Sequence, residues 1–199
     1  MVLPCKFSDG GCKFVGAGAI VKKHEDSCSF RMIGCPTSFC KKMVPFARVK
    51  NHIRNIHGAG YLQNRSGKFR AFLSGAIPSG DNLYDPEMSW APSMTVYDGE
   101  TFLINAIVKD HNWSLWVVII GDKKIAQKYS VSMRISGLGE IAAAVTVWGN
   151  VYSIEVDVKD ILDDWKGVLE FNKNMLRKLD RVRADGTRSI AVEYELRKK

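Results

Sequence analysis

The chain has 199 residues, 29 Lys and Arg against 21 Asp and Glu, a net charge of +8, and five cysteines. This length allows one large domain or a small one plus a medium one, and an odd cysteine count excludes a fully paired disulfide framework. The charge is uneven: residues 1–57 hold ten Lys or Arg against three Asp or Glu, a net of +7, and residues 58–199 hold nineteen against eighteen.

All five cysteines and three of the four histidines lie in residues 5–57, in two near-copies of one spacing. The first is Cys5, Cys12, His24 and Cys28; the second is Cys35, Cys40, His52 and His57. In both, eleven residues separate the second cysteine from the histidine, and a fourth donor follows four or five residues later. A tetrahedral zinc site takes two ligands from a knuckle or hairpin and two from one helix face, where positions four apart stand one turn above each other. His24 with Cys28 fits that spacing, and His52 with His57 is one residue wider, within the range finger histidines use. The histidines would be unexplained in a disulfide framework, and Met1-Val2-Leu3-Pro4 offers no apolar core of a secretory leader. Two structural Zn²⁺ ions are therefore expected, each with four protein ligands and no open coordination position.

In chain order, a knuckle spans Cys5 to Cys12, and Ala19 to His24 reads as a helix that delivers His24 and Cys28. In the second finger Phe46, Val49, Ile53 and Ile56 recur at helical steps over 46–57, which predicts its core stripe. Gly58-Ala59-Gly60 closes that helix, because glycine takes the left-handed conformation of a helix end without strain. The domain boundary is placed there, with a zinc module over 1–60 and a second domain over 61–199. A module of some 60 residues buries too little apolar surface to be secure alone, and zinc binding contributes about 10–16 kcal/mol per structural site. Zinc removal is accordingly expected to unfold the fingers and leave most of the second domain intact.

From Lys68 the period changes to alternation. Strands are predicted near 68–74, 88–96, 101–109, 113–120, 129–136, 141–148, 151–158 and 189–197, separated by turns at Tyr97-Asp98-Gly99, Asp110-His111-Asn112 and Ser136-Gly137-Leu138-Gly139. The last strand is the clearest, with Ile190, Val192, Tyr194 and Leu196 on one face and Ala191, Glu193, Glu195 and Arg197 on the other. Closely spaced short strands predict an all-β antiparallel sandwich with short helices, here over 160–165 and 172–179.

Trp113 and Trp116 lie in the most apolar run, and at least one of them reads as core rather than as a ligand platform. Asp160, Asp163 and Asp164 read as a solvated helix start, and the acceptor triplets Asn64-Arg65-Ser66 and Asn112-Trp113-Ser114 as idle. Catalysis has little to work with: only His111 is uncommitted to metal, and there is no P-loop or dinucleotide fingerprint. The basic fingers leave a nucleic-acid reading open through Lys42, Arg48, Lys50, Asn51 and Arg54, although two unlike fingers with a tight Cys28-to-Cys35 spacer do not look like a groove-following array. Reduced thiolates imply an intracellular protein, cytoplasmic or nuclear.

Pro4-Cys5-Lys6-Phe7, Gly11-Cys12, His24-Glu25, Cys28, Phe30-Arg31, Cys35-Pro36, Cys40 and the run His52 to His57 resemble the paired zinc fingers of the seven-in-absentia family of E3 ubiquitin ligases. The resemblance implies two fingers of ββα-like form followed by a TRAF-like substrate-binding sandwich that pairs as a homodimer. It implies a RING before Met1 in the ligases, and with that RING a ubiquitin-conjugating enzyme as partner; a RING-less adaptor is the alternative. On this reading the chain is the non-catalytic, substrate-recognising portion, without nucleic-acid or membrane partners. Substrates would bind as extended peptides along a sheet edge, with Trp90 and Met94 of Ser89-Trp90-Ala91-Pro92-Ser93-Met94 lining side-chain pockets. The tryptophan-to-glycine spacing is one residue longer here than in the family, and Pro92 removes a backbone donor.

Overall fold

The computed structural model describes residues 1–37, 40–64, 66–74, 87–109, 112–136, 144–172, 175, 181–182 and 188–199. The first finger is a two-stranded ribbon, β1 (Val2–Pro4) antiparallel to β2 (Val15–Ala17), followed by α1 (Gly18–Ser27). The second repeats it with β3 (Met32–Gly34) antiparallel to β4 (Met43–Pro45), a 3₁₀ turn at Phe46–Arg48 and α2 (Val49–His57). Gly58 closes α2 at φ 65°, its N–H bonded to the Ile53 carbonyl, the left-handed end expected of glycine.

Two antiparallel sheets make the sandwich. One contains β11 (Ala144–Asn150), β10 (Tyr129–Ser136) and β15 (Arg188–Lys198) in that order, with β5 (Lys68–Ser74) and β14 (Arg181–Val182) on β15. The other is centred on β8 (Glu100–Lys109) and β9 (Asn112–Ile119). β6 (Glu87–Ser89) and β7 (Ser93–Tyr97) lie along β8, while β12 (Tyr152–Ser153) and β13 (Leu169–Asn172) lie along β9. The two-residue β12 runs parallel to β9, the exception to the antiparallel pattern among the described strands. Short helices α3 (Lys123–Ala126) and α4 (Val158–Asp164) fill the connections, each N-capped by an aspartate, Asp122 and Asp157. Among the described residues no helix is long and apolar enough to cross a membrane.

Between the sheets lies the main core, including Phe102, Leu115, Val117, Met133, Ile190, Val192 and Leu196. A second core lies on the outer face of the β8–β9 sheet. There Leu103, Trp116 and Val118 are covered by Val49 and Ile53 of α2 and by Ile161 of α4. The molecule is thus three layers deep: sheet, sheet, then the second finger together with α4. This explains why β8 and β9 are buried almost throughout and read as unbroken apolar runs, whereas β15, with one solvated face, alternates. Trp113 and Trp116 are both buried, Trp113 between the sheets and Trp116 beneath the third layer.

Several expected elements differ. The strand over 88–96 is two strands: Ser89 pairs with Ile107 and Ser93 with Ile104, so four steps on one side oppose three on the other. One extra residue is bulged out around Pro92, which has no N–H for the ladder. The strand over 151–158 is the short β12 followed by α4, which starts at Val158 rather than Asp160 because Asp157 accepts from the Lys159 N–H and caps it there. Ile56 is 60% exposed although it continues the helical stripe, because α2 turns Val49 and Ile53 onto the sheet and leaves Ile56 facing solvent. Of the helix expected over 172–179, Asn172 ends β13 and Met175 packs on the main core; residues 173–174 and 176–179 lie outside the described residues. His111, Gly137 to Gly139, Arg65 and residues 141–143 lie outside them as well.

Candidate metal centres

The first group is assembled from three places. The ribbon presents Cys5, whose N–H bonds the Phe14 carbonyl, the following loop brings Cys12, and α1 brings His24. Cys28 is not on the helix, as the four-residue spacing suggested. α1 ends at Ser27, and Cys28 turns to extended backbone (φ −61°, ψ 129°), which swings its sulfur inward. The four donor atoms lie within 4.8 Å of one another. Cys5 Sγ and Cys28 Sγ are 3.9 Å apart, and Cys12 Sγ is 3.2 Å from His24 Nε2.

The second group draws Cys35 and Cys40 from the β3–β4 hairpin and His52 and His57 from α2, again within 4.8 Å. Cys35 Sγ to His57 Nε2 is 3.4 Å, Cys40 Sγ to His52 Nε2 is 3.5 Å, and the two Nε2 atoms are 3.2 Å apart.

These separations fit zinc. With Zn–S near 2.3 Å and Zn–N near 2.0–2.1 Å, the edges of a tetrahedron are about 3.8 Å for two sulfurs, about 3.3 Å for two nitrogens and about 3.5 Å for a mixed pair. Disulfides would need sulfurs near 2.05 Å, and all five cysteines are free thiols. Donor type agrees as well: three sulfurs with one imidazole, and two with two, are structural zinc sets without an open position. The two groups can therefore each hold one Zn²⁺.

The surroundings prepare these atoms for a cation. Backbone N–H groups of Phe7 and Phe30 point at Cys5 Sγ (3.5 Å) and Cys28 Sγ (3.4 Å). The Phe14 backbone N–H, helped by His24, lowers the Cys12 thiol to about 7, while burial raises Cys5 and Cys35. Burial lowers His52 and His57 and keeps them neutral, as ligation requires. A zinc ion deprotonates a coordinating thiol outright, so the burial of Cys5 and Cys35 is offset on binding.

Sequence spacing does not mark the supporting residues. The Phe14 ring stacks on His24 at 4.0 Å and fixes its plane. Thr37 Oγ1 stands 2.8 Å from Cys35 Sγ and 3.1 Å from His57 Nε2. No spacing rule points to either, since both act through neighbours brought close only by folding.

Trp90 and Met94 are not brought together. Trp90 is half-buried against the main core, its ring tilted at 36° to that of Trp113 with centroids 4.5 Å apart, and its backbone N–H donates to the Ala106 carbonyl. Met94 is fully buried on the opposite face of the sheet, in the core beneath the second finger. Its N–H donates to the Gly60 carbonyl (2.8 Å) and its carbonyl accepts from the Leu62 N–H (2.7 Å). The connector between finger and sandwich occupies the β7 edge there, so Met94 offers neither a side-chain pocket nor a free backbone edge. α2 is similarly engaged: Lys50 Nζ donates to Thr101 Oγ1 and sits over the Tyr61 ring.

A search of curated proteins returns no match. Residues 1–69 match the family model described as "Sina, zinc finger", a span that contains all eight donors of both groups. The N-terminal module of this chain is thus similar to the Sina zinc finger and carries two Cys/His groups that can each hold a zinc ion.

Proposed function

We propose that this chain is the zinc-binding, substrate-recognising and dimerising part of a seven-in-absentia-type E3 ubiquitin ligase acting in ubiquitin-dependent degradation. The observation that carries the reading is the match of residues 1–69 to the Sina zinc finger, in a chain whose second finger shares one apolar core with an antiparallel sandwich. Fusion of finger and sheet makes a rigid recognition unit, of the TRAF-like kind the family resemblance implies. Its partners are substrate proteins held through extended segments, a second copy of the chain, and a ubiquitin-conjugating enzyme that acts through a RING in the whole ligase. Five reduced cysteines support an intracellular setting, cytoplasm or nucleus.

The test separates recognition from catalysis. The zinc-loaded chain is expressed in cells, alone and fused behind a RING domain, and half-lives of the proteins cross-linked to it are followed. The fusion is expected to shorten them and the chain alone to lengthen them by competition. Equal half-lives in both cases would overturn the proposal.

A further inference from the structure

Between the second finger and the sandwich runs a cleft of about 1220 Å³. Its floor is the outer face of the β8–β9 sheet at Ile107 and Ser114. One wall is the β3–β4 hairpin with Met32 and Met43; the other is α4 with Val158 and Leu162, ending in Trp165. The volume exceeds the roughly 300–1,000 Å³ of small-molecule sites and suits a length of polypeptide.

The rim is apolar and exposed. Met32, Met43 and Trp165 are 45%, 57% and 66% exposed, although each stands beside buried apolar surface. Methionines adapt their shape to varied apolar partners, and tryptophan is the side chain most enriched at interface hot spots. Trp165 also has φ 57°, a left-handed conformation that bulky side chains rarely adopt. The chain thus holds its largest side chain in solvent, on unfavourable backbone, at the mouth of the cleft. Such strain gathers at binding sites.

Charge identifies the occupant. Arg31 at the back is neutralised by Glu155. On the α4 wall Asp157 and Asp163 stand against Lys159, and on the floor Glu170 stands with Lys109; with Asp26 and Lys41 on the finger side, the charged lining is net acidic in a chain of net charge +8. Glu170 is fixed there, accepting from Ser114 Oγ at 3.1 Å.

We infer that this cleft binds an extended protein segment that inserts apolar side chains between Met32, Met43 and Trp165 and sets basic residues against the acidic α4 wall. This rests on the reading of the chain as a recognition module and gives that module its surface.

The experiment measures binding of fluorescent decapeptides with an apolar centre, flanked by lysine, glutamate or serine, to the zinc-loaded chain. Lysine-flanked peptides are expected to bind about tenfold more tightly than glutamate-flanked ones, with the preference shrinking at high salt. Trp165→Gly should weaken binding about tenfold while thermal stability holds or rises, since glycine accepts the left-handed backbone. A merely structural tryptophan would lower both. Asp163→Lys should reverse the flank preference. Unchanged affinity in both variants, or no decapeptide bound by the wild-type chain, overturns the cleft assignment. Half-lives in the RING-fusion experiment then separate the two claims: shortening by the Trp165→Gly fusion equal to that by wild type moves recognition to another surface and leaves the proposed function standing.

Discussion

Arg31, three residues beyond the last ligand of the first zinc group, lies on Glu155 of the sandwich, with its Nε 2.9 Å and its Nη2 2.6 Å from one carboxylate oxygen. The same guanidinium donates to the Cys28 carbonyl at 3.0 Å and stacks over Phe46 at 3.9 Å. One side chain therefore touches a ligand-bearing backbone, the second finger and the sandwich. The pair is largely shielded, at 12% and 25% side-chain exposure, so it escapes the screening that makes surface pairs nearly neutral.

A double-mutant cycle of Arg31→Ala and Glu155→Ala should give a coupling energy of about 1–2 kcal/mol, typical of a charge-assisted bond between contacting residues. Additive losses in thermal or urea unfolding would show that the contact does not hold the layers together.

Loss of the two zinc ions should have unequal consequences. The first finger has its own small core of Cys5, Cys12 and Cys28 with Phe7, Phe14 and Phe30 around it. The second shares Val49 and Ile53 with Leu103, Trp116 and Val118 of the sheet. Cys12→Ser should therefore leave the sandwich transition almost unmoved, while Cys40→Ser lowers it by several degrees and red-shifts fluorescence as Trp116 loses its cover. The expectation that zinc removal leaves most of the second domain intact is thus assigned chiefly to the first site. Ile53→Ala should act on the same interface at a cost of about 2–5 kcal/mol. Equal effects of the two cysteine variants on the sandwich would count against a shared core.

A pH dependence resides in the turn at Asp98-Gly99. Asp98 Oδ2 accepts from Lys198 Nζ at 2.7 Å and from Tyr129 Oη at 2.9 Å, and these bonds, lysine first, hold its carboxyl below the usual carboxylate range. A depressed folded value means stability that is present above the unfolded value of about 3.9 and lost as pH falls through the folded one. Lys198, raised chiefly by the same bond, contributes stability below its unfolded value of about 10.4 that is lost as pH climbs through the folded one. Asp98→Asn keeps a residue that tolerates the left-handed backbone at φ 50°. The stability gap between wild type and Asp98→Asn should be widest at neutral pH and close below about pH 4. A gap independent of pH would refute the assignment.

Gly149 at the end of β11 faces Gly167 after α4 so closely that a Cβ on Gly149 would lie 2.1 Å from Gly167 Cα. Gly149→Ala should destabilise the chain by at least about 2 kcal/mol, because backbone, not a flexible side-chain end, would have to move. Unchanged denaturation would show that this approach is not a constraint.

The legibility of these features follows from how local their causes are. The ligand groups were readable because ligation demands fixed residue types at spacings set by a hairpin and a helix turn. β15 was readable because solvent covers one of its faces, which forces the alternation of Ile190, Val192, Tyr194 and Leu196 with Glu193, Glu195 and Arg197. The third layer left only an indirect trace. Unbroken apolar runs in β8 and β9 say that both faces are covered, without saying that α2 and α4 do the covering. Ile56 and Met94 show the limit: helical period put Ile56 in the core and resemblance put Met94 in a groove, but the docking of finger on sheet exposes the first and buries the second. The bulge at Pro92 was signalled by the missing donor, yet its single-residue register became visible only through the pairing with β8.

The most direct measurement is the zinc content of the purified chain by metal analysis, on wild type and on Cys12→Ser and Cys40→Ser. Two ions per wild-type chain and one in each variant are expected, given donors spaced at tetrahedral edges in both groups. One ion or none in the wild-type chain, or two retained in either variant, would contradict the assignment of the two centres.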